Sequence, residues 1–203
     1  MRRSDIDHII VVAAGRGKRM GLPKALMPVG GRPWWRHQHE RLGKLERDTT
    51  WVISSEVMRE IEPVAGAPRR CIIGDATAPM FDSIMVGLES LRTDPPRGVF
   101  ILPVDVPAPG PTVWQALVVA KTVTVPTYRG THGHPVYLPW TFVASEVLDA
   151  GAGRRDLRLD DLIRPIAREI EVDDAAVTTN LNTPADVQAW LHRTSTPHGR
   201  TDM

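Results

Sequence analysis

Ile9-Ile10-Val11-Val12-Ala13-Ala14-Gly15-Arg16-Gly17-Lys18-Arg19-Met20-Gly21-Leu22-Pro23-Lys24 is the stretch whose reading decides the fold. An apolar, largely β-branched run is followed by a loop carrying glycines at 15, 17 and 21 and the cations Arg16, Lys18, Arg19 and Lys24. This is the pattern of a buried parallel strand that delivers an anion-binding loop. Glycine lacks a Cβ, so such a loop can turn sharply and bring successive N–H groups close to phosphate oxygens. A polyanion is the expected guest, and we read the loop as a cradle for a nucleoside triphosphate. Its spacing is neither the Gly-x-Gly-x-x-Gly of dinucleotide folds nor a P-loop closed by Gly-Lys-Ser/Thr. Glycine and charge content alone leave a solvated basic loop as the plainer alternative.

The ordered pattern Ala-Ala-Gly-x-Gly-x-Arg-Met-Gly-x-Pro-Lys, residues 13 to 24 without a gap, is more specific than its composition. It resembles the opening loop of the MobA-like nucleotidyltransferase (NTP transferase) superfamily, and within it the molybdenum-cofactor cytidylyltransferases. The resemblance implies a three-layer α/β/α sandwich with a Rossmann-like, mostly parallel sheet. It implies that the loop, Arg16, Gly17 and Lys18 included, wraps the triphosphate, that Arg19 and Lys24 hold phosphates, and that Ala13, Ala14 and Gly15 pack near the base.

Composition narrows the class of guest. The chain has 203 residues and a net charge of +1, so bulk binding to nucleic acid or to a membrane surface has no support beyond the local basic loop. One domain over residues 1–192 is expected, with a polar, disordered tail from His192 or 193 to 203. The single cysteine, Cys71, excludes an intrachain disulfide and a multi-cysteine metal site and suits a reducing compartment. No apolar run reaches membrane-spanning length and the first residues lack the apolar core of a signal peptide, so a cytoplasmic location is expected.

Pro33 is placed to start a helix carrying Trp34, Trp35, His39 and Leu42, its tryptophans packing inward rather than stacking on a pterin or base. Residues 50–54 read as a strand and 71–75 as a strand and turn, with a helix over 56–64 between them. A second helix follows, with Met80, Ile84, Leu88 and Leu91 as its buried stripe. Its Phe81-Asp82-Ser83-Ile84 entry resembles the serine-bearing segment that touches the base in these transferases, which makes Ser83, and more weakly Gly74, candidates for nucleotide contact. A helix cap or a surface hydroxyl is the alternative for Ser83.

Val99-Phe100-Ile101-Leu102-Pro103-Val104-Asp105 is an apolar run ending in an aspartate. It reads as a central buried strand with Asp105 at its carboxyl end, where open α/β sheets bind ligands. A carboxylate facing a triphosphate needs a cation between them, and Mg²⁺ binds through one or two protein carboxylates plus phosphate oxygens. The resemblance assigns Asp105 that metal role; a strand-end aspartate capping the turn is the alternative. A helix from Pro111 and a strand over 123–128 come next.

Gly130-Thr131-His132-Gly133-His134-Pro135-Val136 looks like the acceptor-side loop of the cytidylyltransferases, with His134 as a candidate contact for the acceptor, or a histidine packed in a turn. No further ligands stand at suitable spacing to make His132 and His134 a zinc pair. Residues 151–156 resemble the Gly-Asp-x-Gly-Ala-Arg region of the same enzymes, which makes Arg154 and Arg155 candidates for an acceptor phosphate, against the alternative of solvated basic residues. Residues 169–173 alternate as a half-buried edge strand. In Asn180-Leu181-Asn182-Thr183-Pro184, Thr183 is placed to cap a helix with Pro184 at its first position. Asn182 stands where cytidylyl members often carry a second metal aspartate and guanylyl members an asparagine; it can offer a neutral oxygen to the metal, or simply form an Asx turn.

The expected activity is transfer of a nucleoside monophosphate to a phosphorylated acceptor such as molybdopterin, with pyrophosphate as leaving group. The resemblance implies a base as well: cytidylyl members tend to carry Ala-Ala-Gly and guanylyl members Ala-Gly-Gly, so Ala14, whose methyl would narrow the pocket against a purine, favours CTP, while Asn182 keeps GTP open. Sugar or alditol phosphates are alternative acceptors, and a molybdoenzyme or chaperone is a conceivable protein partner. An alternative of another class is a nucleotide-binding sensor or accessory that does not catalyse.

Overall fold

The computed structural model describes residues 5–17, 21–149 and 157–195. The opening apolar run forms β1 (Asp7–Ala13), every residue of which is buried. It is followed in chain order by β2 (Pro28–Val29), β3 (Arg32–Pro33), α1 (Trp34–Gly43), β4 (Thr49–Ile53), α2 (Ser55–Ile61), β5 (Cys71–Ile73) and α3 (Met80–Glu89). Then come β6 (Gly98–Pro103), α4 (Pro111–Val119), β7 (Thr124–Tyr128), β8 (Thr131–His132) and β9 (Val136–Pro139). The chain continues with α5 (Trp140–Phe142), which runs into a π-helical stretch Val143–Leu148, then α6 (Leu159–Ile163), β10 (Arg168–Glu171) and α7 (Pro184–Ser195).

The main sheet has the strand order β10-β7-β9-β6-β1-β4-β5, with β8 paired to β7 outside that path. β1 lies between β6 and β4 and is parallel to both. β5 and β10 also pair in parallel with their neighbours, whereas β9 runs antiparallel between β6 and β7. Side chains alternate across the pleat, so each strand feeds two cores. Ile9, Val11 and Ala13 of β1 face one cluster with Trp34, Leu42, Val57, Trp114, Leu117 and Trp190 from α1, α2, α4 and α7. Ile10 and Val12 face the other, with Ile84, Leu88, Val143, Val147 and Ile163 from α3, α5 with its π-helical continuation, and α6. The result is the expected three-layer α/β/α sandwich on a mostly parallel sheet.

Several expectations are met in kind and corrected in extent. Trp34 and Trp35 are core residues, fully buried, with Trp190 edge-on to Trp34 at 5.0 Å between ring centres. Met80 does not join the buried stripe of α3: it is the first residue of the helix, 53% exposed, and lines the cleft described below. Residues 136–138, read as the end of a loop, are a central strand, since Val136, Tyr137 and Leu138 are short in sequence but all buried between two neighbours. Residues 196–203 of the tail expected from His192 or 193 lie outside the described residues. α7 continues to Ser195, and its basic last turn, His192 and Arg193, suits the negative end of the helix dipole. β10 is the expected edge strand, though most of its residues are exposed.

Candidate active site

Parallel neighbours end together, so the carboxyl ends of β1, β4 and β6 form one rim, and the loops leaving them meet there. β1 hands its chain to Ala14, Gly15, Arg16 and Gly17, and β6 to Val104 and Asp105. A cleft of about 200 Å³ opens between them, lined by Gly15, Gly17, Lys24, Met80, Ser83 and Asp105 among others. Gly17 has φ of 59°, and a Cβ there would stand 2.0 Å from the Leu22 carbonyl oxygen. The loop thus doubles back on itself, and only glycine permits that approach. The return brings Lys24 over the cleft in a short 3-10 turn, Lys24–Leu26.

The centre of the site is one cation held by two oxygens from distant parts of the chain. Lys24 Nζ donates to Asp105 Oδ2 and to Asn182 Oδ1, each at 2.5 Å. Both partners in the ion pair are largely shielded, with side chains 24% and 18% exposed. Asn182 is not left to a floppy turn. The Leu181 N–H donates to the Asp105 carbonyl at 2.8 Å, and Asp186 Oδ2 accepts from the backbone N–H groups of Asn182 and Thr183 at 3.0 and 2.7 Å. Thr183 Oγ1 in turn accepts from the Asp186 N–H at 3.2 Å, closing a capping box at the start of α7. The Thr183 hydroxyl, which donates to the same Oδ2 at 2.8 Å, and after it the two backbone N–H groups hold the Asp186 carboxyl below its usual range.

Of the residues expected near the base, Ala13, Gly15 and Ser83 line the cleft, and Ala14 and Gly74 are not among its lining residues. A Cβ on Gly74 would lie 2.9 Å from Val52 Cγ1, 3.2 Å from Ala14 Cβ and 3.4 Å from Ser83 Oγ. Gly74, Ala14 and Ser83 are therefore in one packed corner, with Ala14 and Ser83 almost wholly buried. Ser83 does not cap its helix, since Pro79 holds that position. Ala13, at the end of β1, is buried beside them and also lines the cleft. Asp75, which the sequence reading passed over as a turn residue, lines the cleft as well, its Oδ1 accepting from the Thr77 N–H at 2.7 Å. The signal was present in its position, directly after β5 at the same rim.

His134 lies elsewhere, on a second cavity of about 460 Å³ that shares Met80 with the cleft. Its backbone N–H donates to the Val177 carbonyl at 2.8 Å, and its peptide bond to Pro135 is cis. Its ring Nδ1 is buried without a hydrogen-bond partner. Burial pushes the imidazole pKa down, partly offset by the charge of Asp105. Phe81, Ile84, Ile101, Val136 and Leu159 give this cavity apolar walls, and Arg158 and Asp160 stand at it with charges. Arg158 is a residue the sequence reading missed; it follows shortly after Arg154 and Arg155, which, like Lys18 and Arg19, lie outside the described residues. His132 points away, pairing with Glu169 at 2.8 Å on the outer edge of the sheet. Among the described residues no cluster of three or more His, Cys, Asp or Glu could hold a metal alone, and no helix is long and apolar enough to cross a membrane.

A parallel sheet whose carboxyl rim presents a glycine loop, a lysine and an aspartate defines a nucleotide-handling α/β protein. The model of the MobA-like NTP transferase domain matches residues 9–174, and the chain belongs to that family. It is a nucleotidyltransferase by family, and Asn182 falls beyond the matched segment. No curated protein matches the sequence. Among solved structures, Rv0371c of Mycobacterium tuberculosis is 20% identical, with a TM-score of 0.75 over 93% of this chain and 98% of that one. The same protein has been solved in complex with manganese, at a TM-score of 0.66 and 18% identity over 93% of this chain and 98% of that one. The 4-diphosphocytidyl-2C-methyl-D-erythritol synthase of Anaerococcus prevotii is 13% identical, with a TM-score of 0.73 over 94% of this chain and all 100% of that one. Molybdopterin-guanine dinucleotide biosynthesis protein A of Archaeoglobus fulgidus is 17% identical, with a TM-score of 0.68 over 94% and 99% of the two chains. At these identities the likeness is one of fold.

Proposed function

We propose that this protein transfers a nucleoside monophosphate, CMP in preference, from its triphosphate to a phosphorylated acceptor such as molybdopterin, with release of pyrophosphate. The observation that carries the reading is the convergence of Lys24, Asp105 and Asn182 on one point of the glycine-lined cleft. A phosphate oxygen of the acceptor attacks the α-phosphorus as the bond to the pyrophosphate oxygen breaks, so no protein nucleophile is needed. The acceptor phosphate is already ionised near neutral pH, and no strong general base is required. What the chain supplies is positioning and charge. Lys24 and Arg19, with the N–H groups of the Gly15–Gly17 loop, hold the phosphates.

The residues present fit a divalent ion. Asp105 Oδ2 and Asn182 Oδ1 already converge on a single cation, the Lys24 ammonium, and both are hard oxygen donors of the kind Mg²⁺ takes alongside phosphate oxygens. Asp105 and Asn182 would hold the ion, Asn182 through a neutral oxygen, and the ion would neutralise charge on the triphosphate. Lys24 then has to yield the point it occupies and is free to turn to the phosphates.

The preference for CTP rests on the Ala-Ala-Gly opening of the loop, in which Ala14 packs in the same corner as Gly74 and Ser83, Ser83 being at the cleft. The neutral Asn182 favours the second reading, guanylyl transfer. For the acceptor, the cavity beside Met80 offers His134 and Arg158 to a phosphate or a polar ring, and its apolar walls to the rest; Arg154 and Arg155 stay as acceptor candidates on the family resemblance alone. The test is a matrix of the four nucleoside triphosphates against molybdopterin, sugar phosphates and alditol phosphates, read as pyrophosphate release, with Asp105→Ala as control. Turnover with CTP and molybdopterin is expected. Turnover of a sugar phosphate alone would replace the acceptor, and triphosphate binding without turnover of any pair would leave a sensor rather than an enzyme.

A further inference from the structure

The end of the sheet opposite the triphosphate cleft carries a second charged cavity that the transfer reaction does not use. It has a volume of about 560 Å³, within the range of small-ligand sites, and lies at the amino ends of β1 and β4. Its charged walls are Arg47, Arg69 and Arg70 against a single carboxylate, Asp48, and His8 and His39 add two imidazoles.

Two of the arginines are held rather than loose. Arg70 Nη2 donates to the Ser90 carbonyl at 2.6 Å, which fixes its direction, and the Arg47 guanidinium lies over the Phe100 ring, 5.5 Å from its centre. Burial disfavours the charged form of Arg47, and the nearby Asp7 only partly offsets it. Both oxygens of Asp7 are already taken, by Arg97 and by the Tyr137 hydroxyl. Among the described residues neither Arg47 nor Arg69 forms an ion pair with a carboxylate. Among the described residues the His39 Nδ1 is buried without a hydrogen-bond partner. Three arginines on the wall of one cavity, with Asp48 as its one lining carboxylate, are matched by an anion with several oxygens.

We propose that this cavity is a second binding site, separate from the transfer cleft, for a small phosphate-bearing anion held by Arg47, Arg69 and Arg70. The walls between the charges, Leu42, Gly43, Gly66 and Ala67, leave room for an organic part on the phosphate. The occupant would be remote from the reacting groups, because β1 and β4 separate His8 and Thr49 at one end from Ala13 and Ile53 at the other. The site stands independently of which nucleotide and acceptor the cleft takes.

The probe is inorganic pyrophosphate titrated into ¹⁵N-labelled protein, with sodium chloride at matched ionic strength as control. Backbone amide shifts separate the two sites, residues 66, 67, 69 and 70 reporting on this cavity and Gly15 and Gly17 on the cleft. The expected result is a saturable shift at residues 66–70 that weakens at least tenfold in Arg47→Gln/Arg69→Gln while the response at Gly15 and Gly17 is unchanged. Should the double variant lose its dispersed spectrum, Arg69→Gln alone, on an exposed side chain, is expected to weaken the same shift. No saturable shift at residues 66–70, a shift reproduced by sodium chloride, or one unaltered in the folded variants would overturn the site.

Discussion

Lys24 is the residue on which the site turns, because its ammonium is the only group the described structure places in contact with both Asp105 and Asn182. In Lys24→Ala the two oxygens lose that cation and the triphosphate would lose its proposed phosphate contact, so both KM for the triphosphate and kcat should worsen in steady-state assays. In Asp105→Ala the fixed carboxylate is gone, and a fall in turnover of about 10²-fold or more is expected from the loss of preorganised charge stabilisation. Wild-type rates in either variant would refute these roles. Gly74 makes a different demand. A methyl there meets Val52 and Ala14 at less than ordinary contact distance, so Gly74→Ala should lower stability by about 1 kcal/mol through overpacking. It should also raise the KM for the triphosphate, since the displaced Ala14 belongs to the proposed base corner; denaturant melts and kinetics read the two effects separately.

At the scale of the element, α7 and the rim strands show how packing sets up chemistry. The Thr183–Asp186 box caps α7 and in the same hydrogen bonds fixes the backbone of Asn182. Asp186→Ala should therefore cost about 1 kcal/mol as a lost cap, and should also weaken metal-supported turnover, whereas an ordinary cap mutation would change the melt alone. β9 carries a titrating group at its buried face. Burial, assisted by Asp7, to which the hydroxyl donates at 3.1 Å, pushes the Tyr137 pKa up to about 12. An unfolded tyrosine titrates near 10. Between those values the unfolded chain has released the proton and the folded chain retains it, so stability falls as pH rises from about 10 to about 12, by about 2 kcal/mol. Urea midpoints measured across that window should decline less steeply in Tyr137→Phe than in the parent; equal slopes would assign the alkaline loss to other groups.

For the whole molecule, the ion proposed in the cleft is expected to serve the reaction and not the fold, since Asp105 and Asn182 are already bridged by the Lys24 ammonium without it. Chelation should stop turnover while leaving the thermal midpoint in place, and triphosphate with Mg²⁺ should raise the midpoint by mass action. A melt that collapses on chelation would contradict this. The sandwich itself was legible because β1 and β6 are continuous apolar runs, a pattern that only a strand covered on both faces tolerates. β9 was not, because three buried residues between prolines carry too little periodicity to separate a central strand from a loop. The exposure of Met80 was hidden for the opposite reason: its spacing matches the stripe of α3, and only the position of the helix start at the cleft takes it out of the core.

The sequence by itself determined the α/β class, the glycine loop after β1, and the placing of Asp105 at a strand end, because each is encoded in neighbouring residues through backbone freedom and burial on two faces. Tertiary structure decided the rest. Lys24 meets residues 81 and 158 positions further along the chain, His134 turns to a separate cavity, and the cluster of arginines gathers at the far end of the sheet from segments that carry no shared pattern. Contacts of that kind depend on how elements dock, and local spacing holds no record of it.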